Sequence, residues 1–321
     1  MYNVLVTEPL PGDAVDRLSK KYEVTVAERG ALKTEKDLLN VVKDYDALLT
    51  LLSNPVTSNV LEAAPRLKVV ANYAVGYNNI DTDAAKKLGV RVANTPDVLT
   101  DATADLTLAL ILSVTRRLGE AEKHLRDGKF DDWMPEGFLG FELNGAKLGI
   151  VGMGRIGRAV AKRALAFGMN IGYSNRNRLP KGVEDVQRAT YYSSVPKLAE
   201  WCDILTLHCP LNENSHHLVD SEILQAIGSH GYVINTARGP VVNEAALADA
   251  LHSKIIAGAG IDVFEREPEV HPDLMTAPNA VLLPHIGSAT HETRQNMAEL
   301  SVNAIDLVLQ GRSEEVKNLV I

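Results

Sequence analysis

Cysteine, aromatic residues and long apolar runs are all scarce in this sequence. Its 321 residues include two cysteines, Cys202 and Cys209, whose spacing fits neither a zinc-ligand motif nor a disulfide framework. The longest apolar stretch, 106–114, is too short to span a bilayer, and the first residues lack the pattern of a signal peptide. We therefore expect a cytoplasmic protein with reduced thiols, no metal site and no membrane partner.

Positive charge is also in deficit. Lysine and arginine number 33 against 41 aspartates and glutamates, which gives a net charge of −8. Nucleic acid is therefore disfavoured as a partner, because phosphate binding requires a basic surface. A small anionic substrate is compatible with this charge, since an acidic protein can still hold a local cationic pocket. The 45% of hydrophobic residues suffices for a large core, and the length suits two domains.

Short apolar runs alternate with helical patterns along almost the whole chain. This alternation predicts an α/β fold with two doubly wound parallel sheets, each covered by helices on both faces. One helix is predicted over 100–128, followed by a loop over 130–145. The predicted strands are 4–6, 23–26, 47–52, 67–73, 90–93, 148–151, 170–173, 203–208, 232–235, 256–261 and 281–283.

A final helix is predicted over 292–309, and no strand follows it. We expect it to pack back on the first domain, which would make that domain discontinuous. The expected domains are 1–99 with 291–321, and 100–290.

The strand that begins the second series runs into a glycine-rich loop, Gly152-Met153-Gly154-Arg155-Ile156-Gly157. Gly152 permits a tight turn, Gly154 lets the backbone approach a pyrophosphate, and Gly157 lets the following helix pack against the strand. The helix N-terminus offers N–H donors and the positive end of its dipole to phosphates. A GxGxxG between a strand and a helix predicts a dinucleotide site, in which Arg155 and Ile156 take part.

The end of the next strand, Ser174-Asn175-Arg176, indicates which dinucleotide binds. An enzyme that uses NAD commonly has a carboxylate here for the ribose hydroxyls. This sequence has Ser174 and Asn175 instead, followed by Arg176 and Arg178, which would attract a 2′-phosphate. We expect NADP(H) to be favoured, with NAD(H) possible.

Three later segments each end a predicted strand: Asn235-Thr236-Ala237-Arg238-Gly239, Asp262-Val263-Phe264-Glu265-Arg266-Glu267-Pro268 and Pro284-His285-Ile286-Gly287-Ser288. In this order after GxGxxG, they closely resemble the D-isomer-specific 2-hydroxyacid dehydrogenase family. The resemblance covers essentially the whole chain, including His208-Cys209-Pro210-Leu211 and Asn94-Thr95-Pro96. The run from Ala71 to Tyr77 is most similar to glyoxylate and hydroxypyruvate reductases. Ala74, Asn78 and Asp105 depart from residues common in the family.

The resemblance implies a Rossmann nucleotide-binding domain and a flavodoxin-like substrate domain with the active site in the cleft between them, and a homodimer. It implies that Arg238 binds the substrate, that His285 donates a proton and that Glu267 is the partner of His285. Substrate contacts are expected from Ser53, Val75 and Gly76. Further cofactor contacts are expected from Thr103, Cys209, Pro210, Thr236, Asp262 and Gly287.

The chemistry of these side chains fits the reduction of a small 2-keto acid such as glyoxylate or hydroxypyruvate to the D-2-hydroxy acid. Arg238 can fork onto a carboxylate, His285 can protonate the keto oxygen, and Glu267 favours the imidazolium form. The alternatives are D-3-phosphoglycerate dehydrogenase or another D-2-hydroxyacid dehydrogenase, formate dehydrogenase and phosphite dehydrogenase. A non-enzymatic alternative is a dinucleotide-sensing protein that resembles a corepressor.

Overall fold

The computed structural model describes residues 1–321, which form two compact units. The first unit comprises Met1–Leu99 with Ser288–Ile321, and the second comprises Thr100–Gly287. The boundary falls three residues before the expected one, because the amide of Gly287 is still bonded to Asp262 of the second unit.

The first unit contains a five-stranded sheet in which all pairs are parallel, in the order β2-β1-β3-β4-β5. Flavodoxin-like folds have this strand order, so the predicted architecture is confirmed here. The strands are Asn3–Val6 (β1), Glu23–Val26 (β2), Ala47–Thr50 (β3), Val69–Asn72 (β4) and Arg91–Ala93 (β5). The helices are Ala14–Ser19 (α1), Glu35–Leu39 (α2), Ser58–Glu62 (α3), Thr82–Leu88 (α4) and His291–Leu309 (α13).

The central strands β3 and β4 are buried along their whole length, because helices cover both faces of the sheet. Local signals set the helix ends. The side chain of Asp81 caps α4 by accepting the amide of Ala84, and Gly89 ends the helix in a left-handed conformation. The final helix α13 packs on β3, β4 and α1.

The second unit contains a seven-stranded parallel sheet in the order β12-β11-β10-β9-β6-β7-β8. Renumbered within the unit, this is the Rossmann order 3-2-1-4-5-6 with one more strand. The strands are Lys147–Val151 (β6), Asn170–Ser174 (β7), Ala189–Tyr191 (β8), Ile204–Leu207 (β9), Tyr232–Asn235 (β10), Gly258–Ile261 (β11) and Ala280–Leu282 (β12). The helices are Thr100–Thr115 (α5), Leu118–Arg126 (α6), Arg155–Ala166 (α7), Lys181–Gln187 (α8), Val195–Trp201 (α9), Ser221–Ile227 (α10), Glu244–His252 (α11) and Pro272–Thr276 (α12).

Two apolar cores include residues of this sheet, one of them with α5 and α7 and the other with α9, α10, α11 and α12. The prediction of a single helix over 100–128 is wrong. This segment contains two helices, because the backbone of Arg117 is left-handed, with φ of 52°, and separates α5 from α6. The edge strand β8 was not predicted. None of the helices combines the length and the apolar character that a bilayer span requires.

Candidate active site

The glycine-rich loop joins β6 to α7 and is closely packed on one side. Gly152 has φ of 95°, and a Cβ there would lie 2.6 Å from the amide nitrogen of Cys209. A Cβ at Gly157 would lie 2.3 Å from the carbonyl oxygen of Gly152. A Cβ at Gly154, by contrast, would meet no atom within 4 Å. The loop is therefore closely packed at Gly152 and Gly157 and leaves open space at Gly154, where a pyrophosphate requires it.

A chain of polar side chains, three buried threonines around the partly buried His208, lies beside this loop, where the strand order reverses between β6 and β9. The ring of His208 lies between two hydroxyls, with Nε2 2.9 Å from Thr206 Oγ1 and Nδ1 3.4 Å from Thr236 Oγ1. Thr236 Oγ1 is in turn 3.0 Å from Thr107 Oγ1 on α5. Burial lowers the pKa of His208 to about 3, so this imidazole is neutral at physiological pH. Ligands of doubly wound folds bind at such a reversal.

The turn after β7 differs from expectation in one respect. Asn175 accepts the amide of Met153 at 2.7 Å, so its side chain is tied to the glycine-rich loop. Arg176 is exposed and makes no side-chain hydrogen bond. Arg178 is paired with Glu184 through two hydrogen bonds of 2.8 and 2.9 Å. Only one of the two arginines is therefore available to a phosphate.

His285 and Glu267 form a hydrogen-bonded pair at the carboxyl end of the sheet. His285 Nδ1 is 2.7 Å from Glu267 Oε2, while Glu267 Oε1 accepts the amide of Phe264 at 3.0 Å. Burial raises the pKa of Glu267, but the hydrogen bond and charge of His285 outweigh it and hold that pKa below its usual range. Nε2 of His285 has no hydrogen-bond partner in the chain and is not buried.

Asp262 holds the loop that carries His285 in place through two hydrogen bonds. The two carboxylate oxygens of Asp262 accept the amides of Ile286 and Gly287 at 2.7 and 2.8 Å. Burial raises the pKa of Asp262, and these two amides oppose that shift. Thr103 lies near Gly287, where an added Cβ would be 3.6 Å from its hydroxyl. The backbone of His285 is left-handed, with φ of 53°, an uncommon conformation that this loop maintains.

Arg238 follows β10 and is largely enclosed. Its Nη1 donates to the carbonyl of Ala237 at 2.6 Å, but its buried Nε has no hydrogen-bond partner. Burial lowers the pKa of Arg238, and the charge of Glu267 acts in the opposite direction. A buried, unsatisfied guanidinium nitrogen costs free energy unless an acceptor reaches it, so the arrangement favours an anionic ligand.

Three other expected residues of the first unit follow β3 and β4. Ser53 is exposed, next to the buried Asn54, and Val75 and Gly76 are partly exposed in a turn. The amides of Val75 and Gly76 donate to no acceptor in the chain. Cys209 and Pro210 of the second unit follow β9, and Cys209 lies against Gly152.

Sequence reasoning missed a set of asparagines in the first unit. Asn54 accepts hydrogen bonds from Thr7, Thr50 and the amide of Leu51. Asn79 donates to the carbonyls of Leu51 and Asn54, and Asn72 and Asn94 donate to the turn that contains Val75. Their signal was available, since asparagine recurs at or just after the ends of β3, β4 and β5.

It also missed two glutamates of the second unit. Glu244 Nα–H donates to Glu265 Oε1, and the amide of Glu265 donates back to Glu244 Oε1. This reciprocal pair ties the start of α11 to the segment that carries Glu267. No cluster of three or more His, Cys, Asp or Glu side chains is placed to hold a metal ion.

The second unit thus combines a glycine-rich loop of the dinucleotide-binding type with a histidine–carboxylate pair and a largely enclosed arginine, which is typical of a dinucleotide-dependent oxidoreductase. Comparison with known proteins gives the family. Residues 108–287 match the family model described as D-isomer specific 2-hydroxyacid dehydrogenase, NAD binding domain. A glyoxylate reductase of Thermococcus litoralis is 44% identical over 321 residues, covering 99% of this chain and 96% of the relative. The chain therefore belongs to the D-isomer-specific 2-hydroxyacid dehydrogenase family, and the resemblance seen in the sequence is confirmed.

Two solved structures illustrate the range of cofactors among similar proteins. An NADPH-dependent glyoxylate/hydroxypyruvate reductase of Sinorhizobium meliloti, in complex with NADP and malonate, is 35% identical with a TM-score of 0.87, covering 99% of this chain and 96% of that one. A D-lactate dehydrogenase of Aquifex aeolicus, complexed with NAD and lactic acid, is 27% identical with a TM-score of 0.88, covering 99% of each chain. The protein described here uses a nicotinamide dinucleotide and a small 2-keto or 2-hydroxy acid.

Proposed function

We propose that this protein reduces glyoxylate or hydroxypyruvate to the D-2-hydroxy acid, with the proton supplied by His285. The observation that carries the proposal is the 2.7 Å contact between His285 and Glu267 in the same unit as Arg238, whose buried Nε has no partner. Besides a hydride, the reduction of a 2-keto acid requires an acid–base pair and a cationic side chain that binds the substrate carboxylate. Two relatives that are 44% identical over 99% and 92% of this chain are glyoxylate reductases.

The glycine-rich loop fits a nicotinamide dinucleotide, because it is open at Gly154 and the N-terminus of the following helix has no side-chain cap. We infer that Gly152, Gly154, Arg155, Ile156 and Gly157 bind the pyrophosphate. Further contacts are assigned to Ser174, Asn175, Arg176, Thr103, Cys209, Pro210, Thr236, Asp262 and Gly287. When bound, the nicotinamide supplies the hydride that the keto carbon accepts.

The chain itself supplies the proton. In the proposed reaction Nε2 of His285 donates to the keto oxygen, while Nδ1 remains bonded to the Glu267 carboxylate. A negative partner favours the imidazolium form and fixes the ring. Loss of the proton leaves a neutral imidazole, which can accept it back in the oxidation direction. Formate oxidation yields no alkoxide to protonate, so that reaction would not require the His285–Glu267 pair.

The anchoring groups act on the substrate carboxylate. We assign the fork of Arg238 to the carboxylate and keto oxygen, and the free amides of Val75 and Gly76 to the carboxylate. Ser53 belongs to the loop that we expect to limit the size of the substrate. Its neighbour Asn54 fixes that loop through the hydrogen bonds of its buried amide.

NADP(H) remains the proposed preference, now with Arg176 as the only phosphate partner. Asn175 removes the negative charge that would repel a 2′-phosphate, and Arg176 is exposed and unpaired. The charge of Arg178 is already neutralised by Glu184.

A homodimer is also proposed. No residue of α6 is buried, and α6 and the following loop expose Leu125, Phe130, Trp133 and Leu139 to more than half of their full extent. Contiguous exposed apolar side chains mark interaction surfaces, and a second copy would cover them. Sedimentation measurements test this: a monomer across the accessible concentration range would overturn it.

A cytoplasmic location remains a prediction, supported by the two free cysteines.

The catalytic proposal is tested by a substrate panel. Glyoxylate, hydroxypyruvate, pyruvate and 3-phosphohydroxypyruvate are each assayed with NADPH and with NADH. We expect the highest kcat/KM for one of the first two substrates with NADPH. Preference for the phosphorylated substrate would favour a phosphoglycerate dehydrogenase instead. Tight dinucleotide binding without turnover of any 2-keto acid would favour the sensor-like alternative.

A further inference from the structure

The turn after β4 has three successive carbonyls held by other groups of the first unit. The carbonyl of Ala74 accepts the amide of Thr95 at 2.9 Å. The carbonyl of Val75 accepts Asn94 Nδ2 at 2.7 Å, and that of Gly76 accepts Asn72 Nδ2 at 2.7 Å. Side-chain amides therefore fix two of the three peptide planes in this turn.

Fixing a carbonyl also fixes the N–H of the next residue. These peptide bonds are trans, and in a trans peptide the C=O and N–H bonds point in opposite directions. The bond from Thr95 thus turns the Val75 amide outward, and the bond from Asn94 does the same for the Gly76 amide. Neither amide has a protein acceptor, and both residues are partly exposed. Successive outward amides of this kind form an anion-binding concavity.

We propose that Asn94 is a positioning residue that aims the Gly76 amide at the substrate carboxylate. The proposal rests on the proposed function, because it takes Val75 and Gly76 as carboxylate ligands. Asn94 itself touches no substrate: its Nδ2 bonds to the far side of the peptide whose N–H faces the ligand. Without this bond the Val75–Gly76 peptide is free to rotate. The N–H of Gly76 then no longer points toward the carboxylate site before the substrate binds.

The chain offers a matched control in Asn318. This residue is also partly buried, and its Nδ2 donates to a backbone carbonyl, that of Asn94, at 2.6 Å. Asn318→Ala therefore removes one amide–carbonyl bond from the same region and leaves the bond from Asn94 Nδ2 to the Val75 carbonyl in place. Asn94→Ala and Asn94→Asp are the test variants, since the second keeps the size of the side chain and lacks the donor.

The measurements are KM and kcat for glyoxylate and for its uncharged methyl ester, the Kd for NADPH, the Kd for oxalate by calorimetry, and Tm. We expect Asn94→Ala to raise KM for glyoxylate and Kd for oxalate roughly fivefold to tenfold. This is less than the loss of a whole hydrogen bond to a charged group, because the Gly76 amide remains and only its orientation is no longer fixed. Asn94→Asp should raise both at least as much. KM for the ester, the Kd for NADPH and Tm should match those of Asn318→Ala.

Equal effects of Asn94→Ala on acid and ester, or an unchanged Kd for oxalate, would overturn the positioning role. If the wild-type protein reduces no 2-keto acid, the proposed function fails, and the oxalate arm still decides this inference. Weaker oxalate binding in Asn94→Ala than in Asn318→Ala then supports it. Absence of oxalate binding in the wild type contradicts it, because the two amides would not be an anion site.

Discussion

Replacing Glu267 by glutamine is the perturbation that the geometry defines most sharply. Glutamine keeps the size of the side chain and the oxygen that accepts the Phe264 amide, but it removes the charge 2.7 Å from His285. The reciprocal effect is visible on the carboxylate, since His285 helps to hold the pKa of Glu267 below its usual range. The imidazolium should therefore be less favoured in the variant.

The magnitude follows from the contact and its exposure. Hydrogen bonds to charged groups contribute about 1.5–3 kcal/mol, and both side chains are about one-third exposed, at 31% and 34%. Solvent screening lowers this contribution to about 1 kcal/mol, which corresponds to about a fivefold change in kcat/KM at a fixed pH on the limb.

The pH shift expected for Glu267→Gln has the same direction for the reduction and for the oxidation. Reduction requires the imidazolium, so its rate falls as pH rises, and that limb should move to lower pH when the Glu267 charge is removed. Oxidation requires the neutral imidazole, so its rate rises with pH, and that limb should also move to lower pH. The assay is kcat/KM against pH in each direction, for the wild type, Glu267→Gln and Glu269→Gln. Glu269 is the matched control, because it is exposed and its side chain makes no hydrogen bond. Unchanged limbs in Glu267→Gln, or equal shifts in both variants, would refute the pairing.

Three further substitutions separate the proposed roles. His285→Ala should lower kcat roughly 10²–10⁴-fold with little change in the Kd for NADPH, and an equal loss of cofactor binding would show that the loop had collapsed. Arg238→Lys keeps the charge but loses the fork, so steady-state kinetics should show a raised KM and a lowered kcat, whereas wild-type kinetics would remove Arg238 from the substrate site. Arg176→Ala should weaken NADPH binding about tenfold or more and leave NADH binding unchanged in fluorescence titrations. Arg178→Ala is its control, because Glu184 already neutralises that charge, and equal losses in the two variants would refute phosphate recognition by Arg176.

The sequence predicted what depends on neighbours along the chain. The glycine-rich loop and the strand ends that carry Arg238 and His285 are local patterns, and the structure has each of them where it was expected. The two sheets follow from the same strand–helix alternation.

The rest depends on groups that only the fold brings together. Leucine, alanine and glutamate continue past Arg117, and the nearest glycine, Gly119, lies inside α6 and not at the break between α5 and α6. The three-residue strand β8 is too short to show a period. The bond from Asn94 to Val75 joins residues 19 positions apart, and the Glu244–Glu265 pair spans 21. Since asparagine and glutamate are common at turns and helix starts, their partners could not be chosen without the topology.

The central claim is that this protein delivers a hydride and the proton of His285 to a small 2-keto acid. The most direct measurement is to incubate hydroxypyruvate with NADPH and the wild-type protein, and to determine the amount and configuration of the glycerate formed. We expect one equivalent of D-glycerate for each NADPH oxidised, and little or none with His285→Ala. Formation of L-glycerate, oxidation of NADPH without glycerate, or undiminished D-glycerate formation by His285→Ala would contradict it.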